Sequence, residues 1–367
     1  MKRRQFMSHA SAIAGTSIAT SALAVANTPN KAQVKWRMTT SFPKHLDIVF
    51  GGSQRLADAI YEMSEGAFEI QVFSAGEIVP SMQVFDAIQN GTVEVGHTSS
   101  NYYHGKNKAL SIDTCLPFGL TTRMQNAWYY GGGGLTVLRE LFDKYNIVNF
   151  PGGNSNTQMG GWFRKEVKTV ADLKGLKFRI PGFGGEIFSR LGAIPQNIPV
   201  GDIYSSLEKG TIDATEFAGP YDDQRLGLQE VAPYYYTPGF WEGSAMLTFY
   251  VNKDAWNNLP KPFQKMFEQA TAEVNLWMSA QYDAKSPEAL ATLIKNGAKL
   301  RSFSKEIMQA AYDVAQEIYE EEAEKNEDFR KVYSNWKPFL NQEYQWFRVN
   351  ENIFQQFMFS QIRKQKD

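Results

Sequence analysis

The chain has 367 residues, with 38 lysine and arginine residues against 39 aspartate and glutamate residues, and a formal net charge of −1. A charge this close to zero argues against nucleic acid or an anionic membrane as the main partner. The length is sufficient for two domains of ordinary size. The single cysteine, Cys115, excludes an internal disulfide, and its apolar neighbours indicate a buried, inert thiol.

Residues 1–26 have the pattern of an export signal peptide. A Lys-Arg-Arg cluster at positions 2–4 is followed by a small, mostly apolar run and by an Ala-Val-Ala cleavage site ending at Ala26. The cluster resembles a twin-arginine signal, and an ordinary export signal explains the same residues equally well. The apolar run is shorter than the ~20 residues that span a bilayer. We therefore expect a mature chain that begins near Asn27 and lies in the periplasm.

The mature chain opens with a predicted strand, helix and strand. Residues 34–39 and 68–73 alternate apolar and polar side chains, and residues 48–63 place apolar side chains at helical spacing. This β-α-β order predicts an α/β protein with a mostly parallel sheet. A further strand at 247–251 returns to the same sheet. We assign residues 27–155, together with about 246–285, to a first lobe.

One sequence pattern occurs twice, over residues 81–95 and 202–214. Each copy has an N-cap, a short amphipathic helix, a Gly-Thr turn and a short strand. Polar or aromatic side chains follow both strands: Thr98, Asn101 and Tyr102 after the first, Glu216 and Phe217 after the second. The pattern predicts a second lobe, residues 156–245 with parts of 286–340, which faces the first lobe across a cleft.

The last third of the chain is predicted to be helical. The pattern predicts one helix from Pro262 to Asp283, a second beginning at Pro287, and a third over residues 304–324. Residues 341–367 form a predicted C-terminal helix rich in aromatic side chains. Helices of this length need a packing surface, which bracing of both lobes or a second subunit would provide.

Arg179 is the first candidate for ligand binding. It alternates with apolar residues in a predicted strand that Pro181-Gly182 ends, which places the guanidinium at the carboxyl edge of a sheet. A guanidinium matches a carboxylate through two hydrogen bonds, a geometry that lysine does not reproduce. The alternative is an ordinary solvated arginine without a specific partner.

Gln158, Glu216 and Glu242 are candidate oxygen donors. Glu216 directly follows an apolar strand, Gln158 lies in a glycine-rich segment, and Glu242 follows a dense aromatic stretch. Carboxylate and amide oxygens suit a hard cation such as Na⁺ or Ca²⁺. The alternatives are a structural salt bridge between Glu216 and Arg179, and a turn hydrogen bond for Gln158.

Catalytic motifs receive little support from the sequence. The histidines lack zinc spacing, and neither a Gly-x-Ser-x-Gly elbow nor a dinucleotide fingerprint is present. Two alternatives to a binding receptor stay open at this point. One is a periplasmic ligand-sensing protein, and the other is a metal-dependent lyase or hydrolase that uses Glu216.

Several long segments resemble the solute-binding proteins of TRAP transporters, the DctP family, and most closely the branch that binds 2-oxo acids. The resemblance covers nearly the whole mature chain. Its most specific segments are Phe150-Pro151-Gly152-Gly153-Asn154, Gln158-Met159-Gly160-Gly161-Trp162-Phe163-Arg164, Gly219-Pro220-Tyr221-Asp222-Asp223 and Val231-Ala232-Pro233-Tyr234-Tyr235-Tyr236.

The resemblance implies two α/β lobes around a cleft, a long bracing helix and a periplasmic receptor that hands a small carboxylate to the membrane subunits of a transporter. It implies that Arg179 clamps the carboxylate and that a cation, Na⁺ or Ca²⁺, bridges protein and substrate. The implied cation ligands are the side chains of Gln158, Glu216 and Glu242 and the carbonyl oxygen of Phe217. Asn156, Tyr102 and Phe42 are implied wall or hydrogen-bonding residues. A homodimer through a swapped C-terminal helix is also implied.

One residue departs from the pattern of this branch. The close relatives carry tryptophan after the cation-site glutamate, whereas this chain has Phe217. A carbonyl ligand survives the change, but the wall loses bulk and an indole N–H. We therefore expect a 2-oxo or 2-hydroxy acid that is larger or more apolar than pyruvate.

Overall fold

A computed structural model describes residues 34–364, so the predicted leader, residues 1–26, lies outside the described part. Within these residues the strands form a five-stranded and a six-stranded sheet. In chain order the strands are β1 (Val34–Thr40), β2 (Phe68–Phe73), β3 (Val95–Thr98), β4 (Ile147–Asn154), β5 (Gly161–Phe163), β6 (Lys177–Arg179), β7 (Ile194–Gln196), β8 (Ala214–Thr215), β9 (Tyr234–Thr237), β10 (Met246–Asn252) and β11 (Lys299–Ser302).

The helices surround both sheets. They are α1 (Val49–Met63), α2 (Val84–Gln89), α3 (Ser111–Thr114), α4 (Thr122–Tyr130), α5 (Gly134–Asp143), α6 (Gly182–Arg190), α7 (Ile203–Glu208), α8 (Pro220–Arg225), α9 (Lys253–Asn258), α10 (Lys261–Lys295), α11 (Lys305–Lys325), α12 (Glu327–Val349) and α13 (Glu351–Lys364). In the part of the chain that the structure covers, none of them combines the length and apolar character needed to cross a bilayer.

The first sheet has the strand order β2-β1-β3-β10-β4. β1 pairs with β2 and β3 in parallel, as the β-α-β pattern predicts. β10 is antiparallel to both β3 and β4, so the sheet is mixed. All seven residues of β10 are buried, which is consistent with a strand inside a sheet that is covered on both faces.

The second sheet has the order β11-β9-β5-β8-β6-β7. β8 pairs with β6 in parallel and with β5 in antiparallel orientation. Besides the long connection from β10 through α9 and α10 to β11, two short connections join the sheets, because β4 leads into β5 and β9 leads into β10. These two connections, residues 155–160 and 238–245, contribute side chains to the cavity described below.

The repeated sequence pattern is confirmed as a repeated structure. In both copies a single 3₁₀ turn leads into a short helix, α2 or α7, and a glycine with positive φ precedes a strand inside its sheet, β3 or β8. The glycines are Gly91 and Gly210, with φ of 70° and 72°. Glycine adopts this left-handed conformation without a steric penalty. The residues after β3 and after β8 therefore meet from opposite sheets.

Helix α10 packs against both halves of the molecule. Phe267 and Val274 belong to the core beneath the first sheet, whereas Tyr282 and Leu293 belong to the core of the second. The prediction of a separate helix beginning at Pro287 is wrong, because α10 continues through this proline. A proline inside a helix costs about 3 kcal/mol, and burial of side chains on both sides of it offsets that cost.

The C-terminal tail is helical, as predicted, but it comprises two helices. The predicted helix from Asn341 is the second half of α12 followed by α13, with the break at Asn350. Six large apolar side chains in this region are more than half exposed, namely Trp346, Val349, Ile353, Phe354, Phe357 and Phe359. The remaining predicted helix is confirmed as α11, whose N-cap Ser304 accepts a hydrogen bond from the Ile307 amide.

Candidate functional site

A cavity of about 30 Å³ lies where the strand ends of the two sheets face each other. This volume accommodates one or two water molecules or a cation, so the cleft is closed around it. The lining residues come from both sheets and from both connections between them: Phe42, Val49, Ser99, Asn101, Tyr102, Ser155, Gln158, Arg179, Pro181, Glu216, Phe217, Ala218, Glu242, Ala245 and Leu247.

Arg179 lies at the end of β6 and is buried, so the alternative of a solvated arginine is wrong. Its Nε donates to the Ile198 carbonyl oxygen at 3.1 Å, and its Nη1 donates to the Glu216 carbonyl oxygen at 2.9 Å. The same Nη1 forms an ion pair with the Glu216 carboxylate. Nη2 has no hydrogen-bond partner among the described residues. One end of the guanidinium is therefore fixed, and the other has a free donor.

Glu216 and Glu242 place two carboxylates in the lining of this cavity, and both residues are buried. Burial raises the pKa of Glu216 to about 7, although the charge of Arg179 acts in the opposite direction. Burial, followed by the charge of Glu216, raises the pKa of Glu242 well above its usual range. When both carboxylates are ionised, the single guanidinium leaves one negative charge uncompensated, which favours a further cation.

Gln158 belongs to the connection between β4 and β5. Its Nε2 donates to Ser155 Oγ at 2.7 Å. Its Oε1 is buried and finds no partner anywhere in residues 34–364. An unpaired buried acceptor carries a free-energy cost of about 1–3 kcal/mol, which a ligand at that position would remove.

Tyr102, Phe42 and Phe217 form much of the cavity wall. Burial raises the pKa of the Tyr102 hydroxyl, and the nearby charge of Arg179 opposes this rise only in part. The Phe42 ring lies edge-on to the buried His97 ring, with centroids 5.4 Å apart. Val49, Ala218 and Leu247 add further apolar lining. The cavity therefore has one polar side, with charged groups and amides, and one apolar side.

Asn156 is the one predicted site residue that the structure does not bring to the cavity, although all of them are described. Its side chain faces α10, where Nδ2 donates to the Ser279 carbonyl oxygen at 2.9 Å and to Asp283 Oδ1 at 2.8 Å. Its φ of 65° lies in the left-handed region, which asparagine tolerates better than most residues. The residue shapes the turn between Ser155 and Gln158 instead of lining the cavity.

Three polar lining residues, Ser99, Asn101 and Ser155, were not among the predicted site residues. Asn101 Nδ2 donates to Glu242 Oε1 at 2.8 Å, and Ser155 holds the amide of Gln158. The available signal for Asn101 was its position after β3, in the first copy of the repeated pattern. Ser155 carried no comparable signal, because its role depends on the side chain of Gln158 three residues later.

The polar side of the cavity has the composition of a hard-cation site. The carboxylates of Glu216 and Glu242, the free Oε1 of Gln158 and the backbone carbonyl of Phe217 are oxygen donors of the type that Na⁺ and Ca²⁺ prefer. No group of three or more histidine, cysteine, aspartate or glutamate side chains arranged for a metal occurs in the described range 34–364. The set described here has only two such side chains, both carboxylates, together with one amide oxygen and one backbone carbonyl oxygen.

The two sheets enclose a polar cavity between facing strand ends, and a long helix packs on both sheets. This arrangement defines a two-lobed solute-binding protein. Residues 40–326 match the model of the DctP family, described as bacterial extracellular solute-binding protein, family 7. The chain belongs to this family, whose members are substrate-binding receptors.

The chain is similar to a monocarboxylate 2-oxoacid-binding periplasmic protein of Nostoc, with 49% identity over 97% of this chain and 99% of that protein. A TRAP transporter solute-binding protein from Bordetella bronchiseptica, a dimer with calcium and picolinate, is 52% identical, with a TM-score of 0.89 over 91% of this chain and 99% of that one. A TRAP periplasmic solute-binding protein from Pseudoalteromonas atlantica, with bound sodium and pyruvate, is 37% identical, with a TM-score of 0.85 over 88% and 98% of the two chains.

Proposed function

We propose that this protein is the periplasmic receptor of a TRAP transporter that captures a small 2-oxo or 2-hydroxy monocarboxylate and delivers it to the membrane subunits. The observation that carries the proposal is the free Nη2 of Arg179, a buried guanidinium donor that faces a closed cavity. A carboxylate accepts a strong, charge-assisted hydrogen bond from such a donor. The similarity to the Nostoc 2-oxoacid-binding protein supports the same ligand class.

A cation, Na⁺ or Ca²⁺, is part of this proposal. Gln158 Oε1, the two glutamate carboxylates and the Phe217 carbonyl oxygen would hold it. Bound there, the cation supplies positive charge that compensates the second carboxylate and attracts the oxygens of the substrate. The proteins from Bordetella and Pseudoalteromonas, with calcium and sodium respectively, support either ion.

The proposed substrate orientation follows the two sides of the cavity. The carboxylate lies against Arg179 and Tyr102, and the 2-oxo or 2-hydroxy oxygen faces the oxygen donors through the cation. The alkyl group faces the apolar wall of Phe42, Phe217 and Leu247. Asn156 keeps a supporting role, because it fixes the turn that carries Gln158 to the site.

The lobe boundaries predicted from the sequence belong to the same proposal. Strands β1–β4 and β10 lie in one sheet and β5–β9 and β11 in the other, which supports a division near residues 155 and 245. Opening at the two connections between the sheets would admit substrate, and closure would exclude water from the bound acid.

Binding without catalysis is the reading that we favour over a lyase or hydrolase. Cys115 is buried and its thiol donates to the Trp241 carbonyl oxygen at 3.3 Å, and burial raises its pKa well above the usual range. His97 is held between Ser53 and the Gly152 carbonyl oxygen. Neither residue is an activated nucleophile or base at the cavity. Incubation with substrate followed by its quantitative recovery tests this point.

The exposed apolar residues of α12 and α13 support a homodimer. Six large apolar side chains exposed on one tail exceed what a monomer commonly leaves uncovered. The Bordetella relative is described as a dimer. Sedimentation of the mature chain, compared with a Phe354→Asp, Phe357→Asp variant, tests the proposal, and a monomer in both cases would contradict it.

Calorimetric titration of the mature, metal-stripped protein with pyruvate tests the receptor function directly. We expect binding that requires Na⁺ or Ca²⁺ and is lost in Arg179→Ala and Glu216→Ala. Arg179→Lys keeps the charge but removes the two-pronged geometry, and it should weaken binding by at least tenfold. Arg190→Lys, at an ion pair with Glu321 outside the cavity, is the matched control. Failure of pyruvate and of longer 2-oxo acids to bind with either ion would overturn the proposal.

A further inference from the structure

The side-chain amide of Gln158 has two different ends, and its orientation decides what the cavity contains. With Oε1 toward the cavity the residue offers an oxygen donor, whereas the reverse orientation presents an NH₂ group. A cation site tolerates only the first orientation. The two orientations have nearly the same shape, so packing alone does not select between them.

Ser155 contacts one end of this amide, and the charge of Arg179 determines which end that is. Its Oγ lies 2.7 Å from Gln158 Nε2, where it accepts a hydrogen bond, and Oε1 then has no partner in the described chain. The opposite orientation would turn two N–H donors toward a cavity that already contains the positive guanidinium of Arg179. Because a serine hydroxyl can donate as well as accept, the arginine charge selects the orientation, and Ser155 then holds the Nε2 end away from the cavity.

The backbone fixes Ser155 and Gln158 relative to each other. The Ser155 amide donates to the Ala245 carbonyl oxygen at 3.2 Å, and the Gln158 amide donates to the Glu242 carbonyl oxygen at 3.0 Å. The Gln158 carbonyl oxygen accepts from the Gly239 amide at 2.9 Å. Both residues are thus attached to the connection between β9 and β10, and the freedom that remains is in the Gln158 side chain.

We infer that Ser155 is a positioning residue, which acts through Gln158 to keep the amide oxygen directed at the proposed cation site. The inference rests on the proposed cation-dependent function. Partners of this kind, which contact a metal ligand and not the metal, typically contribute 10- to 100-fold to metal affinity. Ser155→Ala should therefore weaken calcium binding by about 10- to 100-fold. It should weaken pyruvate binding only to the extent that pyruvate binding depends on calcium.

Ser244→Ala is a matched control for this substitution. Ser244 Oγ also accepts from a side-chain amide, Asn154 Nδ2 at 2.8 Å, and it is buried in the adjacent connection without lining the cavity. We expect Ser244→Ala to retain calcium affinity within about twofold. An equal loss in Ser155→Ala and Ser244→Ala would overturn the inference, because it would indicate general loosening of the two connections.

A double-mutant cycle separates action through Gln158 from direct action. If Ser155 acts through this amide, Ser155→Ala has no further effect on calcium affinity in a Gln158→Ala background. A further loss of tenfold or more in that background would contradict the inference. Titration of calcium chloride into each metal-stripped variant supplies the affinities.

Nuclear magnetic resonance of the metal-free protein provides a readout that does not depend on cation binding. The side-chain NH₂ signals of Gln158 are identified by their absence in Gln158→Ala. We expect their exchange with solvent to be slow in the unsubstituted protein and fast in Ser155→Ala. Fast exchange in the unsubstituted protein would overturn the inference even if calcium binds. Slow exchange without any calcium or sodium binding would refute the proposed function and leave the orientation of the amide intact.

Discussion

Asn101 and Glu242 are joined by a hydrogen bond of 2.8 Å, from Asn101 Nδ2 to Glu242 Oε1, that connects the end of β3 to the segment between β9 and β10. The amide of Asn101 is itself oriented, because its Oδ1 accepts from Ser99 Oγ at 2.8 Å. Asn101 also packs against the start of α6, which follows β6 of the second sheet, because a Cβ added to Gly182 would lie 3.0 Å from the Asn101 Cβ. One neutral side chain thus holds a cavity carboxylate and contacts both halves of the cleft.

Asn101→Ala should weaken calcium-dependent binding of pyruvate by about 10- to 100-fold. A hydrogen bond to a charged group contributes about 1.5–3 kcal/mol, and each 1.4 kcal/mol corresponds to a factor of ten. Asn107→Ala is the control, since Asn107 Nδ2 also donates to a carboxylate, Asp328 Oδ2 at 2.9 Å, away from the cavity. Calorimetry that finds equal affinities for Asn101→Ala and the unsubstituted protein would contradict this role.

The placement of Arg179 and Glu216 could be predicted from the sequence because it follows from local rules. A strand pattern ended by Pro181-Gly182, and another followed directly by Glu216, put both side chains at strand ends, and parallel strands end at the same edge of a sheet. The two alternatives for Glu216, a cation ligand and a salt bridge to Arg179, do not exclude each other. The ion pair is present, and Nη2 of Arg179 still has a free donor.

The features that the sequence does not predict depend on packing that the sequence pattern does not record. The side chain of Asn156 could face either the cavity or α10 as far as the sequence indicates. Its hydrogen bonds to Ser279 and Asp283 depend on the position of α10. The continuation of α10 through Pro287 depends on the cores that bury both of its halves. The antiparallel direction of β10 is also a tertiary property, because the strand has the same apolar pattern in either direction.

Phe217 should set the preferred length of the bound acid. Its ring is 9% exposed and lies beside Ala218 in the cavity wall. A further buried CH₂ group contributes about 0.8 kcal/mol, or about fourfold in affinity, so we expect 2-oxobutyrate to bind about fourfold more tightly than pyruvate. Phe217→Trp enlarges the wall and should reverse the order.

Competitive calorimetry with both acids, at a fixed calcium concentration, checks the preference. Phe240→Trp, another aromatic substitution in a buried position outside the cavity lining, controls for nonspecific effects of a larger ring. A clear preference of the unsubstituted protein for pyruvate would contradict the prediction about Phe217.

Asp222 and Asp223 should make stability fall as the pH rises from about 5 to about 8. Both side chains are buried. Asp222 accepts a hydrogen bond from the Tyr282 hydroxyl of α10, and Asp223 accepts hydrogen bonds from the Tyr235 hydroxyl and the Trp162 indole N–H. Burial raises the pKa of each to about 7, from an ordinary value of 3.8. The folded state therefore retains protons that the unfolded chain releases. Their contribution to stability is complete below about pH 3.8 and is lost as the pH rises through about 7.

Urea unfolding at pH 5 and pH 8 measures this contribution. Asp222→Asn mimics the protonated acid and should reduce the loss of unfolding free energy between the two pH values by about 2 kcal/mol. Asp172→Asn is the control, because hydrogen bonds from the Lys168 and Thr169 backbone lower the pKa of Asp172, so its effect is confined to more acidic pH. An unchanged pH dependence in Asp222→Asn would refute the assignment.

Asp47 should slow the release of bound substrate, because it joins the two halves of the closed cleft. It follows β1 in the first half and accepts from the Tyr221 hydroxyl of α8 at 2.9 Å. Arg225 Nε of the same helix lies 3.4 Å from the Asp47 carboxylate and also donates to the His45 carbonyl oxygen at 3.1 Å. Lys285 Nζ of α10 is 3.9 Å away. These partners are partly exposed, so their contribution is limited to about 1 kcal/mol or less.

Stopped-flow measurement of pyruvate dissociation in the presence of calcium checks this role. We expect the contact between α8 and the segment after β1 to form only on closure of the cleft, so Asp47→Asn should accelerate dissociation two- to fivefold and leave association unchanged. Added salt should bring the unsubstituted protein toward the variant, since exposed charges are screened. Asp58→Asn, which removes a carboxylate charge beside Gln54 within α1, should change neither rate. Equal dissociation rates for Asp47→Asn and the unsubstituted protein at low salt would show that closure does not depend on this contact, and a slower association would show that Asp47 acts before closure.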